Sequence, residues 1–338
     1  MAAPAFASEN GDAAQWRKIL IAPAGSVKSE KDVPTAYNCT LTGCTLKERQ
    51  SSDLSGFRPV STRPAGSPLP LPDGRVAVPA YVLESGQDSV QGAYYSMPTG
   101  RYGHGVLGDA IEAGSLTLLV GKQADTAQAV SFELPQNEVF EDIYPRLVDF
   151  DGLGKFDVVT LLSDNRSGAA VAVYRFLEGK IVELARTPHI GLSNRWRNIA
   201  GIADYDGDGS LQIAEVTTPH IGGTLNFWTL RGDVLELTAQ RYGFSNHAIG
   251  SRVLELSATT DFNGDGVSDL ALPDDSRRTL VMLGFEGEAR GEKTLIEYAR
   301  FSFPSQIAWP ISVDESDEVP TLTIALKDGS VWAVFRDK

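Results

Sequence analysis

The chain holds only two cysteines, four histidines and three methionines among its 338 residues. It also lacks any excess of positive charge: 30 Lys and Arg stand against 44 Asp and Glu, a formal net charge of −14. Such a surface repels phosphates, which excludes nucleic acid as an expected partner. No apolar run approaches the roughly 18 residues that a membrane helix needs, so no transmembrane segment is expected. The longest apolar stretches, such as Leu116 to Val120, are strand-sized. No G-x-S-x-G, H-E-x-x-H or sialidase-type Asp box occurs, so no familiar catalytic signature announces an enzyme. A hydrophobic content of 42% with 22% charged residues is ordinary for a folded chain. The length suits two ordinary domains, or one large all-β or repeat domain.

The cysteines, Cys39 and Cys44, lie in YNCTLTGC. Zinc wants four ligands, and no second pair or nearby histidine supplies them. Thioredoxin-type chemistry needs two intervening residues, and here there are four. A small disulfide-closed loop fits the spacing best; two free thiols are the alternative. Near the N-terminus, Ala5-Phe6-Ala7 resembles the small-residue end of an export signal. Residues 1–15 are therefore read as a disordered remnant of such a signal. Both features point to an exported protein, periplasmic or extracellular.

What the chain has in abundance is a repeated acidic segment. DFDGLGKFD begins at Asp149, DYDGDGSLQ at Asp204 and DFNGDGVSD at Asp261, with starts 55 and 57 residues apart. An eroded copy begins at Asp314 and a weaker echo at Asp109. Short apolar runs flank each segment, followed by hairpin-like pairs with Gly at the turn, such as Glu178-Gly179-Lys180 and Arg231-Gly232-Asp233. Runs of this length, rich in Val, Leu, Ile, Thr and Phe, read as strands. Four strands per unit of about 55 residues is the blade of a β-propeller. The expected fold is thus all-β: a single propeller over residues 16–338, with six or seven four-stranded blades. Clear repeats cover 141–200, 201–257 and 258–311. The hairpin in 312–338 leaves its blade short of a strand, which Arg17 to Ile21 would supply to close the ring. Further strand signals are Arg75 to Leu83, Ser115 to Val120 and Ala129 to Leu134.

The acidic spacing has a direct chemical reading. Ca²⁺ takes 6–8 oxygens, and acids at positions 1, 3 and 5 of a glycine-bent loop wrap three side chains around one ion. Position 7 adds a carbonyl and position 9 closes the shell. The ligands would be Asp204, Asp206, Asp208, Ser210 (carbonyl) and Gln212 in the second loop. In the third they would be Asp261, Asn263, Asp265, Val267 (carbonyl) and Asp269. In the first, Asp149, Asp151 and Asp157 fit, but Leu153 occupies position 5. Two Ca²⁺ are expected, with a third at this defective loop left open. Asp204 to Glu215 also matches the EF-hand pattern in full. An EF-hand needs flanking helices, whereas the exit here is Val216-Thr217-Thr218-Pro219, so a strand-loop-strand site is expected.

DYDGDGSLQIAEV and DFNGDGVSDLALP resemble the calcium loops of FG-GAP/VCBS-repeat β-propellers, the family that includes the integrin α-subunit head. The resemblance covers about residues 141–311. It implies an ion between the first and second strands of a blade, structural in role; in a blade so arranged the remaining connections fall on the opposite face. By sequence, the connections expected on that face carry His189, Arg195, Trp196, His220, His247, Arg252 and Trp309. Aromatic, Arg and His side chains on one rim suit docking of a protein or a glycan. Local packing of these histidines and of Trp196 is the plainer alternative. The expected function is a non-enzymatic interaction module or assembly subunit stabilised by Ca²⁺. Two alternatives stay open: a lectin stacking sugars on Trp196 and Trp309, and a polysaccharide lyase or hydrolase. A hydrolase would need two converging carboxylates, for which Asp164, Asp274 and Asp275 are candidates.

Overall fold

The computed structural model describes residues 16–29, 37–40, 43–46, 81–82, 89–121, 127–287, 293–315 and 319–336. The segment 1–15 lies outside these residues, as does the strand expected over 75–83 apart from Tyr81–Val82. The architecture is all-β, with no helix among the described residues. In chain order, β1 (Trp16–Ala22) is followed by a hairpin of β2 (Tyr37–Thr40) and β3 (Gly43–Leu46). Next come β4 (Tyr81–Val82), β5 (Ser89–Thr99), β6 (Glu112–Gly121), β7 (Gln128–Glu133), β8 (Glu138–Phe140) and β9 (Arg146–Val148). β10 (Asp157–Asp164), β11 (Gly168–Leu177) and β12 (Lys180–Arg186) then complete a nine-stranded sheet that begins at β4.

Two four-stranded antiparallel sheets come next. One contains β13 (Arg197–Ala203), β14 (Gln212–Thr217), β15 (Gly223–Arg231) and β16 (Val234–Phe244) in sequence order. The other contains β17 (Ala258–Thr260), β18 (Asp269–Pro273), β19 (Thr279–Glu286) and β20 (Thr294–Ser302), again in sequence order. β21 (Ser312–Asp314), β22 (Thr321–Ala325) and β23 (Val331–Arg336) make up a last sheet, and β1 pairs antiparallel with β23 as its fourth strand.

The inner strands are short continuous apolar runs because both of their faces are covered. Along β11, Ala169, Val171 and Val173 turn to one core while Ala170, Ala172 and Tyr174 turn to another. The same alternation sends Leu280 and Met282 of β19 one way and Val281 and Leu283 the other. Three of these cores fill the space between successive sheets, whereas that of Ala170, Ala172 and Tyr174 lies within the nine-stranded sheet, against β5 and β6. First strands lie beside first strands (β13, β17, β21) and fourth beside fourth (β12, β16, β20).

The strands of 141–200 do not form a sheet of their own. The strand ahead of β10 is interrupted at Glu141–Pro145, so β8 and β9 both pair along β10, and β8 links onward to β6 through Ala113 and Phe140. Pro145, which lacks a backbone donor, stands at the break.

Candidate functional site

The three acidic segments occupy equivalent places, each between the first and second strands of a four-stranded unit. Their internal bonding is nearly identical. The Oδ2 of the first aspartate accepts the N–H of position 6: Gly154 to Asp149 at 2.8 Å, Gly209 to Asp204 at 2.9 Å and Gly266 to Asp261 at 2.8 Å. The position-3 oxygen accepts the N–H of position 5: Leu153 to Asp151 at 3.1 Å, Asp208 to Asp206 at 3.1 Å and Asp265 to Asn263 at 2.9 Å. Both loop glycines have positive φ in every copy, for example 67° at Gly207 and 89° at Gly209, a backbone that L side chains resist. The aromatic at position 2 anchors each loop in an inter-sheet core, with Tyr205 and Phe262 each 1% exposed.

The copies differ in their acids. Only in the second do three carboxylates converge, with oxygens of Asp204, Asp206 and Asp208 all within 4.8 Å of one another. The Asp204 Oδ1 atom is buried with no hydrogen-bond partner. Burial, with the Asp206 and Asp208 charges behind it, pushes the Asp204 carboxyl up. This donor set fits a hard divalent cation, which would relieve that mutual repulsion. Gln212 is buried and its Oε1 accepts the Tyr205 N–H at 2.6 Å. Ser210 donates its N–H to Asp208 Oδ1 at 2.7 Å, while Arg231 bonds the outer Asp208 oxygen at 3.0 Å. In the third copy, Val267 donates to Asp265 at 2.8 Å, and the Phe262 and Asn263 amides and Tyr298 Oη donate to Asp269 Oδ2 at 2.9–3.1 Å. Burial nevertheless carries Asp269 up to about 7. In the first copy Asp157 is gripped by Arg175, Nε to Oδ1 at 2.7 Å and Nη2 to Oδ2 at 2.6 Å.

Glu215, the last residue of the EF-hand match, is not turned to the loop. It is fully buried and bonds Arg197 at 2.5 Å, Asn226 at 2.9 Å and Trp228 Nε1 at 3.1 Å. Strands, not helices, flank the segment.

The structure splits the residues expected on the partner face. Trp196 is 2% exposed and His247 is inaccessible, so neither ring is available to a docking partner or a sugar. Trp196 instead wedges between sheets, donating Nε1–H to the Glu141 carbonyl at 2.9 Å. It stacks on His220 with centroids 6.1 Å apart and meets His247 edge-on at 4.6 Å. The Ser251 carbonyl can only accept, so His247 Nε2 (3.0 Å away) carries a hydrogen. His247 Nδ1 therefore accepts from His220 Nε2 at 2.8 Å, leaving the half-buried His220 Nδ1 as a lone pair. Burial keeps both rings neutral, lowering His220 to about 3 and His247 to about 4. His189 is held by the Gly168 carbonyl at 2.7 Å and Arg186 at 3.1 Å. Arg195 bonds the Asn194 carbonyl at 3.1 Å, and Arg252 pairs with Asp109 at 3.1 Å. Trp309 lies apart, packed with Val27, Ala325 and Val331.

Sequence reasoning missed a cluster beside these histidines. Glu141 is inaccessible and accepts from His104 Nδ1 at 2.7 Å and Ser163 Oγ at 2.5 Å. His104 packs edge-on to Tyr102, with centroids 6.0 Å apart. Glu112 lies one step along the ladder from the Ala113–Phe140 pair, which sets it across from Glu141. Burial first, then the Glu141 and Asp109 charges, push Glu112 up to about 8. The available signal was a pair of acids, Glu141 and Asp142, inside an otherwise apolar stretch. Asp164, by contrast, ends β10 and holds the turn that follows. Bonds from Asn137, Arg166 and Ser167 outweigh its burial and lower it to about 2, which unsuits it as an acid. Asp274 likewise ties Ser276 and Thr279 in a turn.

No family model matches the chain, and no curated protein matches it. Solved structures similar to it include the exotype rhamnogalacturonan lyase YesX, at 12% identity and a TM-score of 0.42, over 78% of this chain and 56% of that one. Rhamnogalacturonan lyase YesW is similar at 12% identity and a TM-score of 0.40, over 80% of this chain and 60% of that one. The chain therefore spans less than two thirds of either, and the functional reading is left to its own residues.

Proposed function

We propose that this chain is an exported, Ca²⁺-stabilised β-propeller of the FG-GAP/VCBS type, serving as an interaction module or as a subunit of a larger assembly. The observation that carries the reading is the loop bonding repeated at equivalent places, with three carboxylates of one copy converging around an unpartnered buried oxygen. Like-with-like adjacency of first and fourth strands supports a radial arrangement of blades. The pairing of β1 with β23 supports ring closure by the first and last described strands. The β2–β3 register, which sets Cys39 opposite Cys44, supports an oxidised pair and hence export.

The partner would be a protein or glycan meeting the connections opposite the acidic loops. Leu192, Ile221 and Ile249 stand 60%, 61% and 69% exposed there. The loops carrying Ile221 and Ile249 are joined by the His220–His247 bond.

The test is thermal unfolding in Ca²⁺ and then in excess EGTA, with metal counting. A ligand bound only by the folded state raises the melting temperature. An EGTA-reversible rise with two Ca²⁺ per chain is expected. No rise and no bound metal would reduce the loops to acidic turns.

A second reading, a polysaccharide lyase or hydrolase, is favoured by the His104–Glu141 pair. A neutral His104 donating from Nδ1 to Glu141 would present Nε2 as a lone pair, and Glu112, across from Glu141, is an uncharged acid near neutrality. Release of reducing ends or unsaturated sugars from polysaccharides, lost in His104→Ala, would establish this reading over the module.

A further inference from the structure

The three loops share a backbone but differ in the residue that faces position 9, and the strand register explains the difference. Position 9 opens the second strand of each unit and faces one residue on the third strand. The Val158–Tyr174 pairing sets Asp157 against Arg175. Gln212 faces Thr229 directly. The Leu270–Leu283 pairing sets Asp269 against Gly284. In the third unit a Cβ on residue 284 would run into Asp269 Oδ1, so glycine leaves that carboxylate its space. In the second, Thr229 brings no charge. In the first, a guanidinium stands in the same position and bonds both oxygens of Asp157. The Asp157 side chain is 4% exposed and the Arg175 side chain 33%, so this is a bidentate ion pair buried on its carboxylate side.

We propose that Arg175 is the resident cation of the first loop, taking the neutralising role that Ca²⁺ takes in the second and third. The inference rests on the calcium reading above. Both oxygens of Asp157 are committed to Arg175, and Leu153 offers no oxygen at position 5. Asp149, Asp151 and the position-7 carbonyl remain, too few for a calcium shell. A second positive centre beside the guanidinium would be repelled and under-coordinated. The first loop is thus a metal loop stabilised by an internal charge, permanently occupied and indifferent to chelation. The chain takes two ions where its repeat offers three loops.

Native mass spectrometry of the full chain in Ca²⁺ tests this. The wild type should carry two ions, and Leu153→Asp with Arg175→Gly, which copies the third unit, should carry three. A wild type with three ions that falls to two on Asp149→Asn would overturn the proposal, as would a double variant that stays at two. A separate readout guards against a variant that fails to fold. In EGTA, Arg175→Gln should lower the melting temperature by several degrees, and Asp157→Asn should remove most of that penalty. The coupling should be the same in Ca²⁺. Additive effects of the two substitutions in EGTA would refute the internal ion pair. A wild type with no metal would fell the calcium reading of the other two loops, while the coupling in EGTA would still decide the role of Arg175.

Discussion

Glu112 shows how one residue records its surroundings in a pH profile. Its carboxyl is 5% exposed and lifted to about 8, against about 4.5 when solvated. Between those values the folded chain holds a proton that the unfolded chain has lost. Stability contributed by this group is therefore present below about pH 4.5 and is lost as the pH rises toward 8. Glu112→Gln should leave the midpoint near pH 4.5 unchanged and raise stability by roughly 1–3 kcal/mol at pH 9, the scale of relieving a buried unpaired group. Urea titrations at the two pH values would check it; a variant as pH-sensitive as the wild type would show that other groups set the slope.

Strand pairs carry the contacts between successive sheets. Tyr205, at position 2 of the second loop, donates to or accepts from Thr259 of β17 at 2.8 Å, and its ring meets Phe227 edge-on at 5.2 Å. The space for that bridge comes from Gly201 in β13, where a Cβ would run into both the Tyr205 hydroxyl and Thr259 Oγ1. Gly201→Ala should therefore cost about 1–3 kcal/mol by overpacking, and Gly201→Ala with Tyr205→Phe less than the single change. Chemical denaturation of the two variants would decide it. This requirement was invisible in the sequence, where IAGIA reads only as an apolar run. The position-2 aromatics were visible as letters, but their burial depends on which sheet lies behind the loop.

At the scale of the whole molecule, the first and last described strands pair. Trp16 of β1 packs edge-on against Phe262 and Phe301 of a neighbouring sheet, at 6.4 Å from each. β1 thus ties the last sheet to the β17–β20 sheet as well as completing its own. Trp16→Ala should cost about 2 kcal/mol, less than a fully buried Trp because the side chain is only partly buried. It should lower the melting temperature without changing the Ca²⁺ count, which calorimetry and metal analysis together would verify.

The sequence by itself determined the local facts. Strand-length apolar runs with glycine turns made the chain all-β, and the D-x-D/N-x-D-G spacing set the loop conformations, because those depend on neighbours within nine residues. The pairing of β1 with β23 was also legible, from a hairpin that lacked a partner. Only the tertiary structure decided what stands across from what. Strand register put Arg175 on Asp157 and Gly284 beside Asp269. The interruption at Glu141–Pro145 merged the first unit into a larger sheet. The packing of one sheet on the next buried Trp196 and His247, and pairing within the nine-stranded sheet set Glu112 across from Glu141, which His104 reaches. Those outcomes rest on contacts between residues far apart in the chain, whose geometry no local spacing encodes.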